Sequence, residues 1–167
     1  MNEDGPISKL NSVQYLYLRH LSEPRDNSLR VIVEEAVRDR LGVFEPHPEL
    51  ATAPELADIL RDASPIESIE GCRTFELYWK RYVAYLVTEE GVGSCRRSDD
   101  EVFTGRLLRH YSKSHFLEHL DHDTGGHMRP LQHYKLVCLN HLIDVASEDS
   151  PEIHDVSGKA QAGDLVH

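Results

Sequence analysis

Apolar and polar positions along this chain alternate more often than they follow a helical period, and the alternating runs come in pairs. The segment VQYLYLRHL (13–21) is rich in aromatic and β-forming residues. A polar turn cluster follows, SEPRDNS, with Pro24, Asp26 and Asn27. Leu29, Val31 and Val33 then alternate with Arg30, Ile32 and Glu34. Two β-type runs around a turn predict an antiparallel hairpin. The Pro-rich stretch EPHPELATAP (45–54) breaks the alternation. Pro54 suits a first helical turn, and Leu56, Ile59 and Leu60 fall at helical spacing, so 54–62 reads as a short helix closed by Ser64 and Pro65.

Residues 74–89, TFELYWKRYVAYLVTE, fit two periods. Strand alternation groups Phe75, Leu77, Trp79, Val83, Tyr85 and Val87, interrupted by Arg81. Helical spacing groups Phe75, Tyr78, Trp79, Tyr82, Val83 and Leu86 equally well. The aromatic and β-branched composition favours strand. At about 3.3 Å per residue one strand here is unusually long, so a bulge or bend is expected near Lys80 and Arg81. GVGSCRRSDDE (91–101) reads as a loop and VFTGRLLRHY (102–111) as a strand. That strand runs into a helix start at Ser112 or Ser114. The helix HFLEHLDH ends at Gly125 and Gly126, and HYKLVCLNHLIDVAS (133–147) is a final β region broken at Asn140 and His141. Residues 1–9 read as a flexible arm and 148–167 as an acidic flexible tail, leaving 10–147 as the folded domain. The expected fold is a single α+β domain, a twisted antiparallel sheet with two short helices.

At 167 residues the chain has the length of one domain and can bury roughly 70% of its unfolded surface without a metal or disulfide. Twenty-nine acidic against 18 basic residues give a net charge of -11. Nucleic acid is therefore not the expected ligand, because phosphate contacts need a basic face. A basic protein is the expected partner instead, since complementary fields steer association. Cys72, Cys95 and Cys138 form no Cys-x-x-Cys pair, and no apolar run reaches membrane-spanning length. The acidic N-terminus lacks a signal-peptide core, so reduced thiols and a cytoplasmic location are expected. Oligomeric state cannot be read from these features.

The segments SLRVIVEEA (28–36), YVAYLVTEE (82–90), GRLLRHYSKSHFLEHL (105–120) and HYKLVCLNHLIDVAS (133–147) resemble a family of small uncharacterised bacterial proteins. The resemblance covers about half the chain and rests on strand cores and a strand-to-helix turn. It implies a bacterial source, an α+β fold and strand for 74–89. It carries no activity and no catalytic residue.

Eight of the eleven histidines fall between His110 and His154. His115, His119 and His122 project within about 60° of one another on the 115–122 helix, roughly 140° from the apolar stripe of Phe116, Leu117 and Leu120. A zinc site would use these three and His127, yet a flat helix face lacks the enclosure and fourth ligand that zinc takes. No cofactor is therefore expected, with zinc as the alternative. HFLEH also places Glu118 before the second histidine, unlike the zinc-protease arrangement. His133 and His141 read as polar residues at strand edges. His110 is a candidate base for Ser112 or Ser114, with no orienting third group evident; the serines are better explained as helix caps. Glu34–Glu35 and Glu89–Glu90 read as solvated strand ends, since adjacency does not supply the spacing of a glycosidase pair. Tyr78, Trp79, Tyr82 and Tyr85 form an aromatic band, a core by default and a partner-binding stripe as the alternative. The functional expectation is a non-catalytic interaction module of inhibitor or immunity type. The alternative is a metal-dependent or histidine-based enzyme using His110–His141.

Overall fold

A computed structural model describes residues 5–38, 65–93, 100–127 and 129–158. Within them the chain folds as an α+β domain built on two antiparallel five-stranded sheets. The first sheet runs β1 (Tyr15–Ser22), β2 (Leu29–Arg38), β4 (Thr74–Trp79), β10 (Glu152–Asp155), with β3 (Ile66–Glu67) on the far end of β2. The second runs β5 (Tyr82–Glu89), β9 (His141–Ser147), β8 (Gln132–Val137), β7 (Leu108–Lys113), β6 (Val102–Thr104). Three short helices accompany them: α1 (Pro6–Ser12), α2 (Glu90–Gly93) and α3 (His115–Asp123).

The period-two pattern explains the layering. On the first sheet, register sets Leu29 opposite Trp79, Val31 opposite Leu77 and Val33 opposite Phe75. All six side chains are buried. On the second, Leu136 lies opposite Ile143 and Tyr134 opposite Val145. These two inner faces share one apolar core, bridged where the Trp79 and Tyr134 rings approach at 6.4 Å between centroids. The β1–β2 hairpin forms as expected, and Asn27 takes a positive φ of 59° in its turn, a conformation that asparagine tolerates.

Several expectations are corrected. The run 74–89 is strand on either side of Lys80 and Arg81, and the bend expected there is a change of sheet: β4 belongs to the first sheet and β5 to the second. The expected strand 102–111 is a hairpin, because Gly105, at φ 88°, turns β6 back onto β7. A Cβ at Gly105 would stand 2.1 Å from the Leu108 carbonyl oxygen, so only glycine fits. Residues 6–9 are not an arm. They begin α1, which buries Leu10 completely. Asn11 on α1 accepts hydrogen bonds at Oδ1 from the amides of Arg106, Leu107 and Leu108, fixing the β6–β7 turn. Nor is the stretch after Ser147 all tail, since β10 pairs with β4 and buries Ile153 against the core. The expected loop at 91–101 starts as the helical turn α2. The helix expected at 54–62 lies outside the described residues.

Candidate functional site

The outer face of the second sheet, turned away from the shared core, carries the most concentrated polar chemistry. Register brings Tyr111, His133 and Ala146 into one row and Lys135 and Asp144 into the next. Helix α3 packs over them, with Phe116 5.2 Å from the His133 ring. Ser114 sits where β7 becomes α3. Its extended backbone places the hydroxyl as the helix N-cap, accepting from the Leu117 amide at 3.2 Å.

From that cap a chain of hydrogen bonds runs inward. Ser114 Oγ lies 2.6 Å from His133 Nδ1, and His133 Nε2 lies 2.8 Å from Asp144 Oδ1. Lys135 Nζ reaches the same carboxylate oxygen at 3.1 Å. Burial pushes the Asp144 carboxyl up, but the His133 bond and the Lys135 charge together outweigh it and hold the group below its ordinary value. An ionised Asp144 accepts from Nε2–H, which leaves Nδ1 as an acceptor for the Ser114 hydroxyl proton. The Ser114 oxygen remains free to accept from Leu117. One tautomer therefore satisfies every bond in the chain. Tyr111 stacks on the His133 ring at 4.3 Å, and Lys135 lies over the Tyr111 ring, closing the remaining sides.

This serine–histidine–aspartate chain has the composition of a nucleophilic triad and the setting of a structural core. Ser114 is 3% exposed, His133 0% and Asp144 2%. A nucleophilic serine needs an acyl carbon within reach and donors for the developing oxyanion. Here Tyr111 stacks on the His133 ring, Phe116 of α3 lies against it, and all three residues of the chain are buried. The nearby cavity, of about 220 Å³, is lined by Leu117, Leu120, Asp121, Arg129, Pro130 and Leu131, and none of the chain's three residues opens onto it.

The residues singled out in the sequence are distributed differently. His115, His119 and His122 are exposed on α3, and the three do not meet at one point. His115 Nε2 pairs with Asp100 at 2.8 Å, while His119 and His122 flank Asp123 at 3.5 Å each. His127 follows the helix end and is exposed. Among the described residues no three His, Cys, Asp or Glu side chains gather closely enough to hold a metal ion. The hydrogen bond to Asp100 raises the His115 pKa, and Lys113 followed by His115 hold Asp100 down at about 2. His110 stacks on Tyr134 rather than facing Ser112 or Ser114. His141 lies opposite Glu89 at one end of β9.

The aromatic band divides between locations. Trp79 is 1% exposed and belongs to the core, so it presents nothing to a partner. Tyr78 is half-buried on the outer face of the first sheet, opposite Arg30 and Glu152. Tyr82 and Tyr85 pack edge-to-face at the rim of the core, and the Tyr85 hydroxyl donates to Glu23. Sequence reading missed the buried chain because His133 was taken as a strand-edge polar residue and Asp144 was not singled out, and only the β8–β9 register brings the two together. One signal was available: Asp144 stands mid-strand in HLIDVAS, where a carboxylate requires a partner.

No protein-family model, curated protein or solved structure matches the chain. No helix among the described residues is long and apolar enough to cross a membrane.

Proposed function

We propose that this protein is a non-catalytic interaction module that presents an acidic surface to a basic protein, in the manner of an inhibitor or immunity partner. The observation that carries this reading is the sealing of the Ser114–His133–Asp144 chain. The best-assembled reactive constellation among the described residues is packed beneath α3, and its hydroxyl is engaged as a helix cap. The excess of carboxylates over basic residues supplies the long-range field, and Glu118 and Asp121 add exposed carboxylates on α3.

The test is affinity capture with the full chain as bait, at low salt and again near 0.5 M, roughly where the Debye length falls below 5 Å. Retention of a defined basic protein that salt releases supports the reading. Capture indifferent to salt overturns its electrostatic basis. Covalent labelling of Ser114 by a fluorophosphonate probe overturns its non-catalytic basis and restores the histidine-based enzyme.

A further inference from the structure

Helix α3 leaves part of its apolar stripe open. Phe116 packs on the His133 ring, but Leu117 and Leu120 are only half-buried, and no residue of the helix is fully enclosed. Between those two leucines and residues 129–131 lies the cavity of about 220 Å³. Leu117, Leu120, Pro130 and Leu131 give it apolar walls, and Asp121 and Arg129 complete its lining. Sites for cofactors and drug-sized molecules start near 300 Å³, so this volume suits a single side chain.

The charge around the cavity is one-sided. Arg129 is already matched, because its guanidinium lies 3.5 Å from the Glu148 carboxylate. Asp121 is exposed at the lining, and Glu118, three residues earlier on the helix, is its exposed surface neighbour. Three carboxylates against one guanidinium leave the rim acidic. An apolar pocket within a polar rim is the anatomy of an interface anchor: one side chain fills the dry centre while charges settle around it. A second copy of the chain is disfavoured as the occupant, since it carries the same excess of carboxylates.

Building on the reading of the chain as an acidic interaction module, we infer that the cleft between α3 and residues 129–131 is the anchor site for the basic partner. It takes one aliphatic side chain flanked by lysine or arginine, whose cations meet Asp121 and Glu118. The net charge draws a basic protein in from a distance, and the cleft decides where on the acidic surface it stops. Screening beyond about 8 Å at physiological salt leaves the carboxylates beside the cleft as the ones that matter after contact. A short peptide offering only the anchor and its flanking cations should bind with a dissociation constant on the order of 1 mM.

The probes are three peptides, acetyl-KKLKK-amide, acetyl-KKSKK-amide and acetyl-EELEE-amide, each titrated to about 5 mM into the full chain at physiological salt. Methyl NMR should show KKLKK shifting Leu117, Leu120 and Leu131. Serine in place of the central leucine should weaken binding about tenfold, and the acidic peptide should not bind. Asp121→Arg should weaken KKLKK about fivefold or more. Glu67→Arg makes the same change in net charge on an exposed residue of the first sheet and should cost less than about twofold. Circular dichroism on both variants separates loss of binding from loss of fold. Shifts centred elsewhere, or none at all, overturn the inference. So does a serine or acidic peptide that binds as well as KKLKK, and so do equal losses from the two variants. Leucine signals of α3 that move when the chain alone is diluted give the cleft to a second copy and overturn it too. A silent cleft beside salt-released capture of a basic protein removes this anchor alone, whereas a filled cleft with no capture removes the broader reading.

Discussion

At the scale of single residues, the Ser114–His133–Asp144–Lys135 chain shows what a buried polar group requires. Each bond in it is modest, but each partner is expensive to leave alone. Ser114→Ala removes both the α3 cap and the hydroxyl on His133 Nδ1, so a loss of about 2–4 kcal/mol in urea unfolding is expected. Asp144→Ala strands Lys135 and His133 together and should cost about 3–5 kcal/mol. The chain already bears one imperfection: Asp144 Oδ2 is buried with no hydrogen-bond donor among the described residues. The His115–Asp100 pair obeys the same electrostatics in the open. Its histidine pKa is raised, so the favourable interaction is complete below about pH 6.5 and is lost as pH rises through the higher folded value. Asp100→Asn should therefore lower the His115 titration midpoint, read from its imidazole NMR shifts. A midpoint that stays put would remove Asp100 as the cause.

At the scale of elements, glycine and asparagine decide more than the apolar pattern does. Gly105 divides what reads as one strand into β6 and β7, and Asn11 holds the resulting turn through three backbone amides. Gly105→Ala forces a Cβ against the Leu108 carbonyl at a positive φ. A destabilisation of about 1–3 kcal/mol is expected, with amide exchange accelerating first in the β6–β7 hairpin. The β1–β2 hairpin, the start of α3 at one of the two candidate serines, its end at Gly125 and Gly126, and the β8–β9 break were legible because each is written in adjacent residues. The division into two sheets was not. Alternation in 74–89 fails only at Arg81, which marks a bend, but a strand that changes sheet resumes its period while exchanging neighbours. Long-range placement hid the rest. Leu10 and Ile153 look like stray apolar residues in polar termini until β4 and the core stand beside them. His133 and Asp144 meet only because register on β8 and β9 turns both toward α3.

For the molecule as a whole, the shared core makes the two sheets one cooperative unit, and carboxylates govern its response to acid. Asp144, Asp100, Glu152 and Asp155 all have pKa values lowered by partners in the folded state. Their contribution is present above the unfolded values near 4 and is lost as pH falls through the lower folded ones. Urea midpoints should thus decline from about pH 5 to pH 2, and the Asp144→Asn chain should show a shallower decline; an unchanged slope would exclude Asp144 from the effect. The return of β10 to the flank of β4 also has a biosynthetic consequence. A ribosome delivers Phe75–Trp79 long before Glu152–Asp155, and the whole second sheet is translated in the interval. Until Glu152–Asp155 leaves the exit tunnel, β4 waits with one side unzipped, an open edge of the kind that holds nascent chains to chaperones.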